Sequence, residues 1–169
     1  MRIRILVCLF CILLGLALQG NNLTQGFDRS AFYAVMASGS ISEINEELIL
    51  LNSISIKEKE AYLGSLMMRK SGLEKIPAEK LKFFKRGRIK LETAILSDSS
   101  NGEYRFLRLT IQENAPKIVK YNSELQKDKI YVKDAFKTLS PVVRKAIINY
   151  SRNSKILHPQ DLEILKADE

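Results

Sequence analysis

Glu103, Arg105, Arg108, Gln112 and Glu113 are the residues of this chain best spaced for chemistry, because they are threaded among Tyr104, Phe106, Leu107, Leu109 and Ile111. On a helix Arg105 and Arg108 share a face at a spacing of three, and Arg108 and Gln112 at a spacing of four. A helix this apolar all round belongs inside a fold. Burying an unpaired charge there is costly, so each of these groups needs a partner. Two readings follow. The residues form a structural network tying the helix to its neighbours, or they line a groove for an anionic ligand or an acidic peptide end. The second is chemically coherent because a guanidinium fork matches carboxylate and phosphate. Arg105, Arg108 and Gln112 are therefore the candidate ligand-binding residues.

A second concentration of charge lies earlier, where Lys80, Lys82, Lys85, Arg86, Arg88 and Lys90 place six cations in eleven residues. Leu81, Phe84 and Leu91 interrupt them, so they do not form one stripe. They read as a solvated helix face or as a polyanion surface carried by Lys82, Lys85, Arg86 and Arg88. No nucleic-acid fold or interleaved aromatic platform accompanies them, and phosphate-cradling glycine motifs are missing. Nucleic acid is therefore not an expected partner.

Catalytic and metal-binding patterns are not found. His158 is the single histidine and stands beside Pro159 at a helix start, which suits a surface turn. A hydrolase triad or a zinc site would need it beside a nucleophile or further ligands. Glu43, Glu46 and Glu47, with Glu58 and Glu60, resemble paired carboxylates, but capping and the helix dipole already account for acids in first turns. The expectation is a protein without catalytic residues, metal or cofactor.

Both cysteines, Cys8 and Cys11, fall in an N-terminal stretch where Arg2 and Arg4 precede an unbroken apolar run over 5–18. That run is short for a membrane span of roughly 20 residues and has the proportions of a secretory signal peptide over 1–19. The residues before each cysteine, Val7 and Phe10, argue against a lipoprotein. Cleavage would leave a periplasmic or secreted chain with no cysteine, held together by its core alone, and with no transmembrane segment. Of the formal net charge of +8, Arg2 and Arg4 supply two. The remaining excess makes an anionic envelope component, such as lipid headgroup or glycan, a candidate partner.

The elements that would position these groups are helical. After a flexible lead-in over 20–27, a single domain is expected over 28–166. Asp28 can cap a helix over 29–37 that Gly39 stops; Ser40 with Glu43 has capping-box spacing for a second through Leu51. Ser55 with Glu58 repeats that spacing for a third, to about Lys70, with Ala61, Gly64 and Ser65 as small residues open to a close neighbour. Pro77 starts a fourth to about Ser97, whose interior Gly87 is tolerable where another backbone packs. Asn101 caps a fifth over 102–113. The segment 116–138 is one bent helix or two, with a break near Asn122 or Asp128. Ser140 and Pro141 begin another to about Ser151, and a last short one opens at His158 and Pro159 and runs through Leu162 and Leu165. No run alternates with period two, so the fold class is all-α, built from antiparallel hairpins, with about seven or eight helices.

The stretch LETAILSDSSNGEYRFL, from Leu91 to Leu107, resembles the junction between tetratricopeptide repeats. Ala94 and Ile95 take the place of the small residue and its aliphatic neighbour, Asp98 and Asn101 the turn, and Tyr104 the region of the aromatic. Ser99 stands where proline is usual and Leu109 where a packing glycine would fall. The resemblance therefore implies a TPR-like hairpin array of irregular build. The whole mature chain is also similar to exported helical proteins of Bacteroidetes that carry a comparable EYRFLRLxIQENAP run, a resemblance that implies location and fold. Taken together, these features describe an exported, non-enzymatic helical module that binds a protein or peptide in the cell envelope.

Overall fold

The computed structural model describes residues 27–162. The expected signal peptide at 1–19, the lead-in up to residue 26 and Leu165 lie outside the described residues. Seven α-helices and three short 3-10 turns follow one another, with no strand among the described residues, which makes the fold all-α. No helix among them is long and apolar enough to cross a membrane.

Most helix starts follow from local capping chemistry. In α1 (Arg29–Ser38) the Asp28 carboxylate accepts from the backbone N–H of Ser30 and Ala31, and Gly39, at φ +72°, ends the helix in the left-handed region. In α2 (Ile41–Ser53) the Ser40 hydroxyl accepts from Glu43 N–H. The next helix, α3 (Lys59–Leu73), begins later than the Ser55 and Glu58 spacing predicts, and no side chain caps it. Its first intrahelical acceptor is the carbonyl of Glu58, to Tyr62 N–H. Upstream, the Lys59 ammonium donates to the carbonyls of Asn52 and Ile54 at 2.9 Å each, closing the end of α2 instead. Pro77 stands in the first turn of α4 (Pro77–Ser97). The Asn101 side chain accepts from Glu103 and Tyr104 N–H to start α5 (Gly102–Asn114).

Segment 116–138 holds a single α-helix, α6 (Leu125–Ala135), between two 3-10 turns. Lys120, at φ +47°, reverses the chain before it. The break therefore falls at the Asn122 side, and Asp128 lies inside the first turns of α6. Ser140 caps α7 (Pro141–Ser151) by accepting from Val143 N–H, and the last turn among the described residues is Pro159–Leu162.

The α3–α4 hairpin is packed backbone to backbone, and two glycines permit it. A Cβ on Gly64 would lie 2.8 Å from the carbonyl oxygen of Gly87, and one on Gly87 would lie 2.6 Å from that of Gly64. Neither distance is tolerated by real side chains, so the backbones touch. Helix α5 is the centre of the fold, burying ten of its 13 residues. Its Tyr104, Leu107 and Ile111 belong to the apolar cluster built with α2, α3 and α4. Its Phe106 and Leu109 belong to a second cluster with Val132, Phe136, Val143 and Ile147. Phe27, at the end of the expected lead-in, is packed: its ring stacks on Tyr62 at 4.9 Å between centroids.

Candidate functional site

Arg105, Arg108 and Gln112 are brought together by one residue, Asp128, which has no exposed surface. Arg108 grips its carboxylate with a fork, Nε to Oδ2 and Nη2 to Oδ1, both at 2.7 Å. Arg105 donates Nη1 to Oδ1 at 3.3 Å, and Gln112 donates Nε2 to Oδ2 at 3.0 Å. Arg108 then reaches on through Nη1 to Glu92 at 2.7 Å, whose other oxygen accepts from the Tyr121 hydroxyl at 2.5 Å. Arg105 also donates twice to the carbonyl of Ser99, and its guanidinium lies 4.5 Å from the Tyr131 ring centre. Two guanidiniums face two carboxylates, so the group is neutral as a unit. Burial works against the charge on Arg108, but the hydrogen bond and charge of Asp128, followed by the charge of Glu92, outweigh it and raise its pKa above the usual value. The Gln112 Oε1 has no hydrogen-bond partner among the described residues.

This arrangement ties α5 to α4 and α6, with Asp128 in the position that an anionic ligand would take. Sequence spacing identifies the arginines but not Asp128, Glu92 or Tyr121. An acid in the first turn of α6 already has a local explanation, and nothing local marks its burial.

Glu103 and Glu113, at the two ends of α5, serve two further networks. Glu103 Oε1 accepts from the hydroxyls of Tyr62 at 2.7 Å and Tyr33 at 2.9 Å, with Arg29 Nε 3.5 Å away. Burial raises the Glu103 pKa more than Tyr62, Arg29 and Tyr33 lower it. Glu113 accepts from the Tyr150 and Ser154 hydroxyls and from Lys155 N–H, each at 2.6 Å.

A concave feature lies on the other side of α5. A cleft of about 850 Å³ is lined by α1, α3, α5 and α7, with Phe84 as the contribution of α4 and none from α2 or α6. Met68, Phe106, Leu107, Ile111 and Ala146 give it an apolar lining. On the α5 wheel, Phe106, Leu107, Thr110 and Ile111 face the cleft, while Arg105, Arg108 and Gln112 lie about half a turn away. The cations among the lining residues are Arg69 and Lys145, and the acid is Glu113. Arg69 spends its Nε on the carbonyl of Met36 at 3.0 Å, closing the end of α1. The donors to Glu113 are neutral and leave its charge in place, so the lining sets two cations against one acid, a net positive charge of one beside apolar surface.

Of the residues expected to form a polyanion surface, Lys82, Lys85, Arg86 and Arg88 are all exposed. Lys82 pairs with Glu79 at 3.2 Å. Arg88 stacks over the Tyr121 ring at 4.9 Å. Lys82, Lys85 and Arg86 share the outer side of α4, whereas Arg88 lies at the edge of its buried side, over Tyr121. His158 is exposed, and its backbone N–H donates to Asp161 at 2.9 Å. Comparison with protein-family models, curated proteins and solved structures returned no match.

Proposed function

We propose that the protein is an exported, non-enzymatic helical interaction module that binds a peptide segment of a protein partner in the cell envelope. The observation that carries this reading is the cleft of about 850 Å³, a volume within the range of roughly 300–1,000 Å³ common to ligand sites. Its chemistry selects the occupant: apolar side chains would cover Met68, Leu107 and Ile111, and a carboxylate would answer Arg69 and Lys145. Helices one, three, five and seven supply the helical lining of the cleft apart from Phe84 of α4, an alternation that supports the TPR-like reading of stacked hairpins around a concave surface. The export assignment rests on the charged and apolar N-terminal residues of the sequence.

Selection of a random-peptide display library on the immobilised protein tests this. Enriched sequences are expected to combine aliphatic or aromatic residues with an acid or a free carboxyl end. Ala146→Trp, which fills the cleft, should abolish their binding, and Lys145→Glu should weaken it, with the melting temperature held. Failure to enrich any sequence, or enrichment that Ala146→Trp leaves intact, would count against the reading.

A further inference from the structure

We propose that the outer face of α4 is a lipid-facing surface by which the protein lies on an anionic bilayer, with the peptide cleft directed away from it. This is independent of the cleft's occupant.

Phe84, Gly87, Leu91, Ala94 and Ile95 make the buried side of α4. Opposite them, Lys82, Ile89 and Leu96 follow at intervals of seven, with Lys85 and Arg86 one turn before Ile89. Ile89 is 67% exposed and Leu96 82%. Single exposed aliphatics are ordinary, but Ile89 and Leu96 lie two turns apart on one line that continues from Lys82, with Lys85 and Arg86 one turn before Ile89, and together these residues form a patterned face. Lys85 and Arg86 have no ion-pair or hydrogen-bond partner among the described residues. Beside this face, the loop anchored by Tyr121 beneath Arg88 repeats the pattern. There Ile118, 89% exposed, stands between Lys117 and Lys120.

A bilayer interface fits both halves of this chemistry at once. Lipid phosphates meet Lys and Arg, whose long stems let the charge rise to headgroup level while neighbouring aliphatics enter the acyl boundary. A polyanionic glycan or nucleic acid would leave Ile89 and Leu96 in water. A protein would need a complementary pocket for them, and would meet a convex helix rather than a groove.

Vesicle co-sedimentation of the full chain tests the assignment, comparing pure phosphatidylcholine with phosphatidylcholine mixed with phosphatidylglycerol, at low and high salt. Every variant keeps residues 1–26, so differences between variants report α4 alone. Binding should favour the mixed vesicles and weaken steeply with salt. Lys85→Gln with Arg86→Gln should lower the partition coefficient about 25-fold, on the basis of about fivefold per basic residue at an anionic surface. Ile89→Ser with Leu96→Ser should lower it about tenfold while preserving the salt slope. All four positions are exposed, so circular-dichroism melting should be unchanged. Equal binding by the parent chain and both variants would overturn the proposal. So would self-association in the absence of lipid that Ile89→Ser with Leu96→Ser abolishes, which would assign the face to a protein contact.

Discussion

Asp128 holds two arginines and a glutamine in a place that water does not reach, so its charge is the condition for theirs. Asp128→Asn leaves Arg105 and Arg108 buried against an acceptor without charge, and breaking a buried pair in this way costs about 3–5 kcal/mol. Urea denaturation should register that loss, whereas Glu124→Gln, on the exposed side of the same helix start, should change stability by less than about 0.5 kcal/mol. Glu103 sets a different dependence. Its folded pKa lies above its ordinary value of 4.5 because burial outweighs its donors. A carboxyl with a raised folded pKa contributes stability in full below its unfolded pKa and loses it as pH rises through the folded one. Glu47, also raised by burial and then by nearby Asp28, acts in the same direction. Asp161 acts in the opposite one: despite its desolvation, the Lys129 hydrogen bond lowers its pKa from 3.8 to about 2. Its contribution is present above 3.8 and fades as pH falls towards 2. Glu103→Gln should therefore flatten the decline in unfolding free energy as pH rises above 4.5, leaving the acid limb, measured by chemical denaturation at each pH, unaltered. At this scale the arginines were legible because helical spacing groups them. Their partner was not, since the 20 residues separating Arg108 from Asp128 are closed only by the fold.

At the scale of elements, legibility followed the range of the interactions. Asp28, Ser40, Asn101 and Ser140 cap as their spacing predicts, because a cap and its N–H groups lie within three residues of each other. Ser55 does not, because Lys59 closes the end of the preceding helix and the chain runs non-helically through residue 58. The small residues of α3 and the interior glycine of α4 foretold a close crossing, and Gly64 and Gly87 make it. Gly87→Ala sets a methyl group 2.6 Å from the Gly64 carbonyl oxygen, and overpacking of this kind costs about 1–3 kcal/mol. Gly64→Ala should cost a similar amount, and the two together less than their sum, since they relieve or strain the same contact. Gly72 is the control, because a Cβ there meets nothing within 4 Å. Gly72→Ala should stabilise α3 by up to about 1 kcal/mol through helix propensity. Thermal melting of the three variants separates a packing glycine from an incidental one. A uniform response would argue against the crossing.

At the scale of the whole molecule, α5 decides how the parts cooperate. Its residues contribute to both apolar clusters, and Tyr33 packs against both, so neither cluster is closed without that helix. The sequence marked α5 as central through apolar residues that point in nearly every direction around it. It could not show that one side would face a cleft and the other an ionic network, because that depends on the angles at which six other helices cross. The consequence is a single unfolding unit despite two separate clusters. Leu107 and Leu109 are fully buried, one in each cluster. Leu107→Ala and Leu109→Ala should each remove about 2–5 kcal/mol. The decisive measurement is the shape of the transition: far-ultraviolet circular dichroism and tyrosine fluorescence should report one coincident midpoint in both variants, moved by similar amounts. Tyr104 and Tyr121 probe one cluster and Tyr150 borders the other, so the tyrosine signal samples both. If α5 belonged to one cluster alone, one variant would split the transition, with the far cluster melting at its original midpoint. Coincident transitions would mean that an occupant of the cleft, resting on α5, stabilises both halves of the protein together.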